Sequence, residues 1–310
     1  MKNITIVTHL YAGGNKGKGV LSKLQSACNK NNINYKIYIS NYSGHTKLLI
    51  KEASKSIKDI NSERIVVVGG DGTLNEAITG LKEENLNIPI SYFPAGTGND
   101  FARSLNLEIN EEKFIEKLFN SQEENVELIK AKDNNEIYYA LNGLGIGFDA
   151  LISNLVNISK KDRASKLGRL SYLSKLLSAY KNRKLFSVDI IVDNVIKLKF
   201  NDVLFSAFMK NQYFGGGIKI NPQAKENNNE IALIIAQNVN LIDVARILPH
   251  ILFTEKHFKK TKKLQRVVGE KFIFNIKTKN LLQFDGETRK VNNINLEISI
   301  TNHIFYLVRR

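Results

Sequence analysis

Over the first hundred or so residues, short apolar runs alternate with longer amphipathic ones. Residues 4–8, 35–40, 64–68 and 88–93 are rich in β-branched and aromatic side chains, while 46–57, 73–81 and 101–105 space their apolar residues as helices do. Strands alternating with helices predict βαβ units around a parallel sheet. The glycine- and lysine-rich stretch 13–19 reads as a loop after the first strand, with a helix following it. From residue 126 the texture changes. Short alternating segments at 137–141, 188–192, 203–210, 230–236, 271–277 and 295–301 have the look of an antiparallel sandwich. Lysine-rich helical segments at 159–184 and 241–266 interrupt them. The expected fold class is an α/β domain over residues 1–125 followed by an all-β sandwich over 126–294.

Two of the predicted strands end in glycine turns that open helices. Gly69-Gly70-Asp71-Gly72-Thr73-Leu74-Asn75-Glu76 follows the apolar run IVVV, and Pro94-Ala95-Gly96-Thr97-Gly98-Asn99-Asp100-Phe101 follows the next strand. Glycine lets backbone approach a ligand closely, and a helix N-terminus offers unpaired N–H groups and the positive end of a dipole, which suits phosphate. Asp71 is a carboxylate placed where phosphate oxygens would sit, which points to Mg²⁺ held directly or through water. A single such turn could be an ordinary capped glycine turn. Two at the tips of successive strands place ligand-binding backbone in one crevice. The loop Ala12-Gly13-Gly14-Asn15-Lys16-Gly17 could form a third wall, although it lacks the GK[ST] ending of a Walker loop.

Composition changes this picture chiefly through charge. The 310 residues are 43% apolar, enough for sizeable cores, and no apolar run approaches the ~20 residues that span a bilayer. The start, MKNITIVTHLY, reads as a strand and not as a signal peptide. The single cysteine, Cys28, excludes an internal disulfide and fits a reducing compartment, so a cytoplasmic protein is expected. A net charge of +15 attracts polyanions such as nucleotides, anionic lipid headgroups or nucleic acid; a lysine-rich composition bias is the plain alternative.

The motifs GGDGTLNEAITGL, PAGTGNDFARSL, GLGIGFDA (143–150), FGGGIKINPQA (214–224) and FDGE (284–287) occur in an order that resembles the diacylglycerol kinase-like lipid kinases. The resemblance runs over nearly the whole chain. GGDGT alone is shared with NAD kinases; its pairing with GTGNDFAR and a late DGE is far more specific. The resemblance implies an NAD kinase-like N-terminal domain that binds ATP and a C-terminal β-sandwich, with residues 295–310 returning to the first domain. ATP would contact Ala12, Gly13, Lys16, Ser40, Gly70, Asp71, Gly72, Thr73, Asn75 and Thr97. Asp71 would be the catalytic aspartate, working with Mg²⁺, and Glu287 the general base. By residue pattern alone, FDGE reads as a hairpin turn, since Asp-Gly is a frequent one.

Three positions depart from the family pattern. His9-Leu10 replaces an Asn-Pro pair before the first loop, and Glu127 stands where an Asp is usual. The family's structural Mg²⁺ site in the second domain would fall on Lys225, Asn228 and Glu230, but Asn228 replaces the expected aspartate and brings no charge. The function expected is transfer of phosphate from ATP to a lipid hydroxyl, with diacylglycerol the first substrate. An NAD kinase and a weakly active lipid-binding pseudokinase are the alternatives. The expected partner is a lipid at an anionic membrane surface, reached from the inner face by a peripheral protein. Basic segments at 159–184 and 256–266 would make that contact. No nucleic-acid motif stands out, and a homodimer is one assembly the sequence allows.

Overall fold

The computed structural model describes residues 2–10, 12–133, 136–147, 180–181, 183–276, 280–284, 287–291 and 294–310. The basic segment expected at 159–184 lies outside the described residues up to 179. By its contacts the chain divides into two units, Met1–Leu128 with Thr301–Arg310, and Ile129–Ile300. It passes from one to the other within β5 (Glu123–Lys132) and β15 (Ile294–Tyr306).

The first unit is α/β. β1 (Asn3–Thr8) pairs in parallel with both β2 (Asn34–Ile39) and β3 (Glu63–Gly69), and β3 pairs with β4 (Ile90–Pro94). Phe305 of β15 pairs in parallel with Ile90 and extends the sheet. The order β2-β1-β3-β4 reverses direction between β1 and β3. Such a switch point opens a crevice at the carboxyl ends of the strands. β3 and β4 are buried along nearly their whole length, because helices cover both faces, and so they read as unbroken apolar runs. Ile4, Ile6, Val66, Val68 and Phe93 pack with Leu21 and Leu24 of α1 (Ala12–Lys30). α2 (His45–Ser56) and α3 (Asp71–Glu83) also carry buried faces, with Leu49, Ile50, Leu74, Ala77 and Ile78 inside.

The stretch expected as a loop at 13–19 is helical. α1 begins at Ala12 and runs through four glycines. Glycine costs roughly 1 kcal/mol in a helix relative to alanine. Tertiary packing overrides that here: a Cβ on Gly17 would lie 2.6 Å from the Leu10 carbonyl oxygen, so only glycine lets the helix lie this close to the end of the first strand.

The short α4 (Asp100–Ser104) and then α5 (Glu111–Leu118) complete the forward run of the first unit. The C-terminus is tied into the same unit. Tyr306 Oη donates to Glu123 (2.7 Å), Arg309 pairs with Glu124 (2.9 Å), and the Glu108 N–H donates to the Val308 carbonyl (2.8 Å).

The second unit is mainly antiparallel. Its strands β6 (Ile137–Ala140), β7 (Gly143–Ile146), β8 (Phe186–Val192), β9 (Ile196–Met209), β10 (Ile231–Gln237), β11 (Leu264–Gly269), β12 (Lys271–Ile276), β13 (Asn280–Phe284) and β14 (Glu287–Val291) surround a core that includes Phe208. Phe208 packs edge-on against Phe272 and Phe274, with ring centres 5.2 and 5.1 Å away. β9 pairs with β8 along its first half and with β7 and β10 along its second, where it is buried on both faces. Its outer face is covered by α6 (Leu241–Pro249) through Val244, Ile247 and Leu248.

The segment expected as one helix at 241–266 is α6, a π-turn at His250–Thr254, the single turn α7 (His257–Lys260) and the start of β11. The alternation in LQRVVG at 264–269 marks that strand, which the flanking lysines had obscured. Among the described residues, no helix is long and apolar enough to cross a membrane.

Candidate active site

Both glycine turns lie at the carboxyl edge of the first unit's sheet. Gly69 ends β3 and Pro94 ends the neighbouring β4. The turns touch. A Cβ on Gly96 would fall 2.4 Å from the Gly70 Cα, so the two backbones pack with no room for a side chain. The Gly69 carbonyl accepts from the Ala95 N–H (2.7 Å) and from the buried Tyr92 hydroxyl (3.0 Å). Burial, with the Asp71 and Asp100 carboxylates nearby, holds the Tyr92 hydroxyl well above its ordinary pKa, so it stays a donor.

Asp71 joins the turns a second time. Its Oδ2 accepts from the Asp100 N–H and its Oδ1 from the Phe101 N–H, each at 3.0 Å. A residue in the first turn of α3 thereby caps α4, and two buried helix-end N–H groups find their acceptors on one carboxylate. Asn99, at φ +52°, closes the second turn on itself: its amide accepts from the Gly96 N–H and donates to the Gly96 carbonyl, both at 2.9 Å. Gly70, at the N-cap of α3, makes no side-chain bond to the first N–H groups of that helix. A Cβ on Gly72 would meet no atom within 4 Å, so that first turn faces open space.

The other sequence-nominated residues gather along the same strand ends, to different degrees. Ser40 follows β2 and is buried; its N–H donates to the Thr8 carbonyl (2.7 Å), and its own carbonyl accepts from His9 Nδ1 (3.1 Å). That bond requires Nδ1 to carry the imidazole proton. His9, the departure from the family pattern, therefore links the ends of β1 and β2. Lys16 is exposed in the early turns of α1, which begin at Ala12 and Gly13, and Thr97 is exposed at the crest of the second turn. Thr73 and Asn75 lie in the first turns of α3, partly exposed.

Sequence reasoning missed Glu76. Its Oε1 accepts from the Gly44 N–H (2.8 Å) and its Oε2 from the Thr46 N–H (3.2 Å), so a residue of α3 caps α2. The Gly44 N-cap cannot do this itself, lacking a side chain. The available signal was slight: Glu76 is a partly exposed carboxylate directly before the buried run Ala77 to Leu81.

In the second unit, Glu287 opens β14 and pairs in antiparallel register with Phe284, the last residue of β13. Gly215, Gly216 and Gly217 stand at φ +69°, +86° and +99°, a turn that side chains would strain, closed by the Phe214 N–H to the Ile218 carbonyl (3.0 Å). Of the candidate metal ligands, Asn228 presents Oδ1 to the Lys210 ammonium (3.0 Å), which also donates to the Glu230 carbonyl (3.1 Å). An ammonium so placed does not fit a divalent ion bound to the same oxygens. Among the described residues no three His, Cys, Asp or Glu side chains come together as a metal group.

Residues 3–131 match the family model described as "Diacylglycerol kinase catalytic domain", and residues 143–301 the one described as "YegS C-terminal NAD kinase beta sandwich-like domain". Among curated relatives, "Putative lipid kinase YtlR" of Bacillus subtilis (strain 168) is 28% identical over 234 residues, which is 73% of this chain and 75% of that protein. A "Putative lipid kinase" of Staphylococcus carnosus (strain TM300) is 28% identical over 204 residues, covering 66% of this chain and 63% of the relative. A solved structure titled "Crystal structure of a putative diacylglycerol kinase from Bacillus anthracis str. Sterne" shares the fold, with a TM-score of 0.73 over 99% of this chain and 95% of that one at 20% identity. The second family model alone covers more than half of the chain, and with the first it makes this protein a member of the diacylglycerol kinase-like lipid kinase family.

Proposed function

We propose that this chain transfers the γ-phosphoryl group of ATP to the hydroxyl of a membrane lipid, diacylglycerol being the first substrate to test. The observation that carries the reading is the double junction of the glycine turns, by the Gly70–Gly96 backbone contact and by Asp71 on the Asp100 and Phe101 N–H groups. Phosphoryl transfer asks a protein mainly for positioning and charge neutralisation. A closely packed floor at the carboxyl ends of β3 and β4, next to the sheet's switch point and with the first turn of α3 facing open space, suits that positioning.

Asp71 is partly exposed, and a carboxylate has lone pairs beyond those taken by two N–H groups, so it fits a Mg²⁺ ion held directly or through water. Bound there, Mg²⁺ would offset the charge of the phosphates. Ala12, Gly13, Lys16, Ser40, Gly70, Gly72, Thr73, Asn75 and Thr97 are the residues assigned to the nucleotide. In the reaction the lipid oxygen bonds to the γ-phosphorus, the bond from that phosphorus to the bridging oxygen breaks, and ADP leaves. Glu287 takes the hydroxyl proton as general base.

A peripheral position on an anionic membrane is part of the same reading. In the second unit Ile242 and Phe253 are 64% and 73% exposed, close in sequence to the exposed Lys256, Lys259, Lys260 and Lys262. Exposed apolar side chains close in sequence to exposed lysines suit the boundary between headgroups and acyl chains, where each basic residue contributes about 1 kcal/mol.

The test is labelled ATP with a panel of lipids and with NAD, in Mg²⁺ and in chelator. Label in the organic phase, dependent on Mg²⁺ and lost in Glu287→Ala, is the expected result. Label on NAD, or full turnover by Glu287→Ala, overturns it.

A further inference from the structure

Lys210 follows the last residue of β9 and is only 3% exposed. Buried ammonium groups are expensive unless well paired. This one donates to Asn228 Oδ1 at 3.0 Å and to the Glu230 carbonyl at 3.1 Å. Asn228 then passes the interaction on, its Nδ2 donating to Glu230 Oε2 at 2.8 Å. Only one orientation of the Asn228 amide satisfies both neighbours, with oxygen toward the cation and nitrogen toward the anion. The loop is bent to make this possible: Asn227 and Asn229, on either side, sit at φ +44° and +54°.

The anchoring of Lys210 is equally built. Its N–H donates to the Asn142 carbonyl (3.0 Å), and the buried Asn211 amide beside it donates to the Leu141 carbonyl (2.9 Å). We infer that Lys210 supplies, from within the chain, the cation around which the 225–230 loop folds, so that this loop is held without a divalent metal. Charge balance favours the assignment. The Lys210 ammonium faces the Glu230 carboxylate across a neutral amide, and the Arg266 guanidinium adds further positive charge near Glu230, so the cluster carries no excess negative charge for a divalent ion to balance. An aspartate at 228 would put a second carboxylate beside Glu230, and such a pair calls for a divalent ion. Asn228 and Lys210 thus let one monovalent cation stand where a carboxylate at 228 would call for a divalent one.

This inference concerns the second unit alone and stands whether or not the kinase reading holds. The experiment is thermal unfolding of the full chain in chelator and in millimolar Mg²⁺ or Ca²⁺, together with metal analysis of the purified protein. The wild type is expected to unfold at the same midpoint in all conditions and to carry no stoichiometric divalent metal. Lys210→Met is expected to lower the midpoint by roughly 5–10 °C, with or without metal, because it removes the charge-assisted bonds that tie the half-buried Asn228 amide and the Glu230 carbonyl to the core. The double variant Lys210→Met/Asn228→Asp is expected to gain a metal-dependent rise that the wild type lacks. A wild-type midpoint that falls in chelator overturns the inference, as does a double variant no more responsive than the wild type. Should Lys210→Met fail to fold, the wild-type comparison decides alone.

Discussion

Gly96 shows how little freedom the site leaves a single residue. Its missing Cβ is what lets the second turn rest on the first, 2.4 Å being far inside any carbon–carbon contact. The clash is with backbone, which cannot swing aside as a side-chain tip can. Gly96→Ala is therefore expected to push the turns apart and cost more than 10-fold in kcat/KM for ATP, about 1.4 kcal/mol or more of transition-state binding. Gly72→Ala meets open space and is expected to leave the fold intact, so any loss there reports on the ligand alone. Steady-state kinetics with unfolding midpoints for both variants checks the pair; equal activity in Gly96→Ala and wild type would remove the contact from the account. His9 is a second residue of this kind. Its bond to the Ser40 carbonyl could not be read from the sequence, because its partner lies just past the end of another strand, 31 residues away.

At the scale of elements, α2 and α3 are locked by Glu76 more than by their own caps. The Gly44 and Thr46 N–H groups at the start of α2 have the Glu76 carboxylate as their acceptor. Removing an N-cap acceptor costs about 0.5–2 kcal/mol. Glu76→Ala should lower the unfolding midpoint by roughly 2–6 °C, and Glu76→Gln, which keeps one oxygen acceptor, by less; calorimetry of both distinguishes capping from general loss of packing. Elements were also where the sequence was most and least readable. β3 and β4 were plain, because strands covered on both faces become unbroken apolar runs such as IVVV. The start of α1 was hidden, since GGNKGKG is a loop by composition and a helix only because Gly17 packs on Leu10. Asp71 was legible as chemistry, but its bonds to Asp100 and Phe101 were not, since they join turns about 30 residues apart. Lys210 was invisible as a structural cation for the same reason: an ordinary lysine in sequence, it acquires its role from a loop 18 residues further on.

For the whole molecule, the buried histidines link stability to pH. His303 is fully buried in the first unit, with its ring edge-on to Phe305, and burial, reinforced by the Lys82 ammonium, pushes its pKa from 6.5 down to about 3. His257, buried in the second unit, is lowered in the same direction, again chiefly by burial. Above pH ~6.5 these imidazoles are neutral in both folded and unfolded chains, so they contribute no pH dependence. Below it the unfolded chain takes up protons that the native state resists, and stability falls as pH drops: for His303 by up to about 1.4 kcal/mol per pH unit down toward its folded pKa of about 3, with His257 adding in the same direction. The paired carboxylates Glu108 and Asp243 also have lowered pKa values, but their stabilisation is lost only further into acid, where the unfolded chain's carboxylates protonate. The interval between pH ~6.5 and ~5 thus isolates the histidines. Denaturant unfolding across that interval should show stability declining in the wild type, and declining less steeply in His303→Leu, which fills the site with an apolar side chain that cannot take a proton. An unchanged slope in that variant would mean that the native state admits the proton, and that the strand carrying the chain back to its first unit is looser than its burial implies.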